Sequence, residues 1–262
     1  MSPIVLALLG TSFTFAATAL GAAMVFFFRG DLPARIHRIF LGFAAGVMIA
    51  ASVWSLLIPA MEMAAEQSVL PSWLPAAGGF VLGGLFLMLL DRVLPHIHAN
   101  SQEKEGLSSS FKRTTMLVLA VTLHNIPEGL AVGLAFGLAG SSEAISLSGA
   151  IALSLGMALQ NFPEGAAISL PLKKEGLSNN RSFWLGALSG IVEPFAGVTG
   201  VLIAGSITNI MPWFLAFAAG AMIYVVVEEL IPEANLGEHS HTGTASVMLG
   251  FLIMMILDVA LG

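Results

Sequence analysis

The chain has 262 residues, of which 56% are hydrophobic, 10% are charged and 28 are glycine, a balance that excludes an ordinary soluble domain. Ten Lys and Arg against sixteen Asp and Glu, with no basic block longer than Lys173-Lys174, exclude a nucleic-acid partner. The lack of cysteine excludes disulfides, thiolate metal sites, iron–sulfur clusters and thiol catalysis.

A bilayer core about 30 Å thick needs about 20 apolar residues per helical span. Apolar runs separated by polar or turn residues predict eight spans, roughly 4–28, 39–64, 75–94, 114–139, 144–171, 183–207, 212–233 and 244–261, in one transmembrane domain with a linker at about 95–113. The first is too long for a signal-peptide core and has no Lys or Arg before Arg29, so it reads as a retained helix. Period-two alternation is missing, which excludes a β-barrel. Arg29, Arg35 and Arg38 follow span one; Arg92, Lys104, Lys112 and Arg113 follow span three; Lys173, Lys174 and Arg181 follow span five. All ten basic residues thus fall in three loops, which the positive-inside rule places in the cytoplasm, with both termini outside a cell (inner or plasma) membrane. The loop ANLGEHSHTG must share the cytoplasmic side although it carries no Lys or Arg.

Several spans are written twice. Phe43-Ala-Ala-Gly-Val-Met-Ile49 of span two, which ends in Leu57-Ile-Pro59, returns in span seven as Phe217-Ala-Ala-Gly-Ala-Met-Ile223 with Leu230-Ile-Pro232. Span three's LGGLFLMLLD, ending at Asp91, matches span eight's LGFLIMMILD, ending at Asp258, and Ala7 to Ala16 matches Ala187 to Ala196. Spans four and five match each other through Leu123-His-Asn-Ile-Pro-Glu-Gly129 and Leu159-Gln-Asn-Phe-Pro-Glu-Gly165. Matching spans are an odd number apart and so cross in opposite senses. The expected fold is an all-α integral membrane protein of eight helices in a 3+2+3 inverted-repeat arrangement, common among secondary transporters.

Ionisable residues deep in a span cost at least about 2.5–3.5 kcal/mol each. Glu128, Glu164, Glu193, Glu228 and Glu229 fall well inside predicted spans, and no Lys or Arg does. They must carry protons or share mobile cations. His124, Asn125 and Glu128 share one helix face, as do Gln160, Asn161 and Glu164 on the next span. Pro127 and Pro163 each free a carbonyl at that depth, on Leu123 and Leu159. One imidazole with carboxylates and amides, joined by a thioether from Met48, suits Zn²⁺, Fe²⁺, Mn²⁺, Co²⁺ or Cd²⁺ better than K⁺ or Na⁺. Glu128 and Glu164 could bridge two ions, the second held more weakly. Of Glu228 and Glu229, only one is expected to face the pathway, and Glu229 is favoured. Ser55, Glu62, Asp91 and Asp258 sit on repeat-related spans, and His96 and His98 open the linker, where they could receive an exiting ion.

The HNIPEG and QNFPEG segments, Glu193-Pro194, the EELIPEA of span seven and the 3+2+3 layout resemble the ZIP (Zrt/Irt-like) divalent metal transporters, most closely their prokaryotic GufA-like branch, over essentially the whole chain. The resemblance implies that His124, Asn125, Glu128, Gln160, Asn161 and Glu164 ligate the metal, that Glu193 completes the site, and that Met48 and Ser55 line it from span two. It further implies uptake of divalent metal as substrate into the cytosol, no catalytic cofactor, a homodimer in the lipid bilayer, and movement of spans one, four, five and six against the rest. Many relatives carry His where this chain has Gln160, which points to altered selectivity. An enzyme is not expected, since HExxH and GxSxG are both missing. The alternative is a proton-coupled transporter of an organic solute that uses the same glutamates as proton relays. A passive cation channel would share the same ligands.

Overall fold

The computed structural model describes residues 1–28, 33–67, 70–93, 113–139, 145–206, 208–235 and 241–261; His96 and nearly all of the linker at about 95–113 lie outside the described residues. The described residues are helical almost throughout. Helix α1 (Pro3–Ala22) starts behind the Ser2 side chain, which accepts from the Val5 N–H, and tightens into a 3₁₀ turn at Ala23–Phe26. Helix α2 (Ala34–Ala51) passes through a π-helical turn, Ser52–Leu57, into α3 (Ile58–Gln67). After α4 (Trp73–Val93) come α5 (Arg113–Leu138) and α6 (Leu147–Lys174), both continuous through their internal prolines.

The sixth apolar run is two helices, α7 (Asn179–Ser189) and α8 (Val192–Ser206). The break follows from local chemistry. Gly190 caps α7, and Pro194, which has no N–H to give, belongs to the first turn of α8, where that loss costs nothing. Helix α9 (Met211–Val225) passes through a second π-helical turn, Val226–Leu230, into α10 (Ile231–Asn235), and α11 (His241–Leu261) closes the chain.

Six helical stretches are long and apolar enough to cross a membrane: Pro3–Phe26, Ala34–Gln67, Trp73–Val93, Asn179–Ser206, Met211–Ala234 and His241–Leu261. Helices α5 and α6, which carry the two polar proline segments, are the long helices outside that set. Phe13, Leu20, Leu82, Leu89, Phe195, Leu202, Met248 and Val259 all point outward, an apolar coat that water would not favour and lipid would. The chain is an α-helical, multi-pass membrane protein.

The most extensive helix pairs are α2 with α11, α4 with α9, α5 with α8 and α1 with α6. Glycine makes these approaches possible. A Cβ on Gly46 would run into the Val247 backbone, and one on Gly220 into that of Phe80. Gly250 meets Phe43 and Gly83 meets Phe217 in the same way. Small residues let helix backbones touch where no hydrophobic force drives them together. In the other pairs Gly165 faces Thr18 and Gly129 faces Glu193, a different register from the one suggested by matching Ala7 to Ala187.

Among the described residues, Arg35 and Arg38 at the start of α2, Arg92 at the end of α4, and Lys173, Lys174 and Arg181 around the α6–α7 turn mark one basic end of the bundle. Lys173 Nζ donates to the carbonyls of Val25 at 3.1 Å and Phe28 at 2.8 Å, tying the end of α6 to the end of the first helix and satisfying carbonyls that the helix leaves open.

Candidate metal site

The polar faces of α5 and α6 meet in the middle of the bundle, against α1, the α7–α8 break and the second π-helical turn. His124, Asn125, Glu128, Gln160, Asn161 and Glu193 are all buried, as is Met48 on α2, while Glu164 is partly buried. Glu128 and Glu164 are close enough for their charges to act on one another, and the charge of Glu193 acts on both. Glu229 adds a fourth carboxylate within reach of Glu164.

A chain of amides holds two of these carboxylates. Gln160 Nε2 donates to Glu128 Oε2 and to Asn161 Oδ1, and Asn161 Nδ2 donates to Glu193 Oε1 at 2.9 Å and to the Thr14 carbonyl at 3.3 Å. The Thr14 hydroxyl donates to the other oxygen of Glu193. His124 Nδ1 lies 2.9 Å from Glu229 Oε2. His124 and Asn125 therefore turn to different neighbours, because Asn125 Nδ2 donates at 3.2 Å to the Ser189 carbonyl. That carbonyl belongs to the last turn of α7 and has no partner along its own helix.

Two acceptors in this centre lack a donor. Glu164 Oε2 and Asn125 Oδ1 are covered from solvent and have no hydrogen-bond partner among the described residues. A buried, unmatched acceptor costs about 1–3 kcal/mol, more when charged, so each is a place where a cation is favoured. Among the described residues no three His, Asp or Glu side chains stand together at metal-ligand distances. The carboxylates are held instead by amide and hydroxyl donors, and ligation would require those donors to let go.

Away from this centre, Ser55 in the first π-helical turn donates to Asp258 Oδ1 at 2.6 Å. The pair borders a cavity of about 260 Å³ that also includes Trp54, Glu62 and Ser146. Asp91, repeat-related to Asp258, is likewise buried. Of the adjacent glutamates, Glu229 turns inward to His124 while Glu228 is exposed.

Residues 95–258 match the family model described as ZIP Zinc transporter. The chain is 39% identical to the Zinc transporter ZIP11 of Bos taurus, over 100% of this chain and 98% of that protein. It is 39% identical to the Zinc transporter GufA of Myxococcus xanthus, over 94% and 95%. The chain belongs to the ZIP family. The Zinc transporter ZIPB of Bordetella bronchiseptica is a further ZIP relative, 40% identical over 98% of this chain and 81% of its own length.

Sequence reasoning missed the contribution of α1 to this ZIP chain. Thr11, Thr14 and Thr18 are all fully buried on one face of that helix, and Thr14 holds Glu193. The signal was present, since hydroxyls at i, i+3 and i+7 on an otherwise apolar helix mark an inward polar stripe. The role of the Ser189 carbonyl went unread because a hydropathy scan does not register a break inside an apolar run, although Gly190 and Pro194 marked one.

Proposed function

We propose that this ZIP chain carries divalent transition-metal cations, Zn²⁺ first among Zn²⁺, Fe²⁺, Mn²⁺, Co²⁺ and Cd²⁺, into the cytoplasm through the centre built by α5, α6 and α8. Its relatives are named zinc transporters. The observation that carries the reading is the pair of covered acceptors, Glu164 Oε2 and Asn125 Oδ1, beside Glu128, with no Lys or Arg deep inside any predicted span. Acceptors gathered without a donor or a fixed cation are satisfied by an ion that comes and goes.

The chemistry follows from the donors. An ion entering by the cavity at Ser55 and Asp258 exchanges waters for carboxylate oxygens. It takes the place of the Gln160 amide on Glu128, and Gln160 and Asn161 can then present their carbonyl oxygens instead. Glu164, Asn125 and His124 complete the ligand set, Met48 offers sulfur from α2, and Glu193 closes it from the start of α8. Release proceeds past His124 and Glu229 toward the basic end, which the positive-inside rule makes cytoplasmic, with both termini outside a cell membrane.

The eight-span, 3+2+3 inverted repeat belongs to the same reading. It is supported by the two π-helical turns, which follow the two copies of FAAGxMI, and by matched glycine contacts on the repeat-related pairs α2–α11 and α9–α4. A homodimer in the bilayer and movement of α1, α5, α6, α7 and α8 against the rest complete the proposal. The test is zinc uptake by purified protein in vesicles. Glu128→Ala inserts normally and loses uptake; retained uptake refutes the assignment, and wild-type protein that moves an organic solute and holds no metal favours the proton-coupled alternative.

A further inference from the structure

The His124–Glu229 pair has a counterpart one turn nearer the basic end. His37 Nε2, near the start of α2, lies 3.8 Å from Glu233 Oε2 on α10. That is too long for a hydrogen bond, and Nε2 is covered from solvent with no hydrogen-bond partner among the described residues. Both side chains are mostly covered, at 19% and 14% exposure. An ion about 2.0–2.2 Å from each atom in tetrahedral geometry would set the nitrogen and oxygen about 3.4 Å apart, so a small adjustment brings both onto one cation.

The placement follows the helices. Glu233 is four residues beyond Glu229, about 6 Å along the axis and on the same face. His37 is eleven residues before Met48, close to three full turns, so the two share a face of α2 about 16 Å apart. Helices α2 and α10 pack against each other, which closes this track between them.

We infer that His37 and Glu233 form a second divalent-cation station, one helical turn beyond Glu229 toward the basic end, that receives an ion leaving the central site. Its place on an exit route rests on the function proposed above; its ability to bind a cation does not. The test uses full-length protein in detergent carrying Glu128→Ala and Glu164→Ala, with Zn²⁺ binding followed by equilibrium dialysis from micromolar to low millimolar. One weak zinc per chain is expected in this background. His37→Ala removes it, and so does His37→Lys, which keeps a positive partner for Glu233 but cannot ligate. Zinc binding that is unchanged by either substitution overturns the station. Failure of the central-site reading appears separately, as unchanged uptake in Glu128→Ala with His37 intact.

Discussion

The repeat makes a demand on packing that two substitutions can test. A Cβ on Gly220 would lie 2.7 Å from the Phe80 carbonyl carbon and nearer still to its oxygen; on Gly46 it would lie 2.9 Å from the Val247 carbonyl carbon, again nearer to the oxygen. Comfortable carbon contacts are about 3.5–4.0 Å, so either alanine forces its helix pair apart by about 1 Å. The obstructing atoms are backbone and cannot rotate away. Overpacking typically costs about 1–3 kcal/mol, and these sites belong at the upper end. The better helix propensity of alanine returns up to about 1 kcal/mol, leaving a net loss of about 2 kcal/mol in each case. Gly84 is the control, because its Cβ would meet only the Gly220 oxygen at 3.9 Å. Thermal unfolding in detergent should show Gly46→Ala and Gly220→Ala falling by equal amounts, with Gly84→Ala unchanged or higher. A neutral result at one of the paired sites and a loss at the other would refute the matched packing.

Two further outcomes are expected. Gln160→His exchanges an amide for an imidazole beside Glu128, and competition uptake should move Zn²⁺ upward against Mn²⁺ and Fe²⁺; an unchanged ranking removes Gln160 from selectivity. Single cysteines placed at either terminus of this cysteine-free chain should react with an impermeant maleimide added outside intact cells, and labelling only after lysis would reverse the orientation.

Much of the site could be read from residue spacing, because a helix turns i, i+1 and i+4 to nearly one side. That puts His124, Asn125 and Glu128 on one face and Gln160, Asn161 and Glu164 on another, whereas the meeting of Gln160 with Glu128 and of Glu229 with His124 depends on how the helices pack. Apolar runs likewise located the helices. What they could not show is where a helix breaks or widens into a π turn. The α7–α8 break at Gly190 and the π-helical turns at Ser52–Leu57 and Val226–Leu230 leave hydropathy unchanged while redirecting the side chains that follow. Partners distant in sequence were hidden too: Thr14 with Glu193, Ser55 with Asp258, and His37 with Glu233 each depend on helix packing rather than spacing.

The central claim is that Glu128 and Glu164 act on a common divalent ion. Elemental analysis of purified protein beside Glu164→Gln tests it most directly, because the substitution keeps the side chain's size while removing its charge and turning one acceptor oxygen into an N–H donor. Bound transition metal in the wild type and its loss in the variant is the expected result. Equal metal in both, or none in either after equilibration with zinc, would contradict the account.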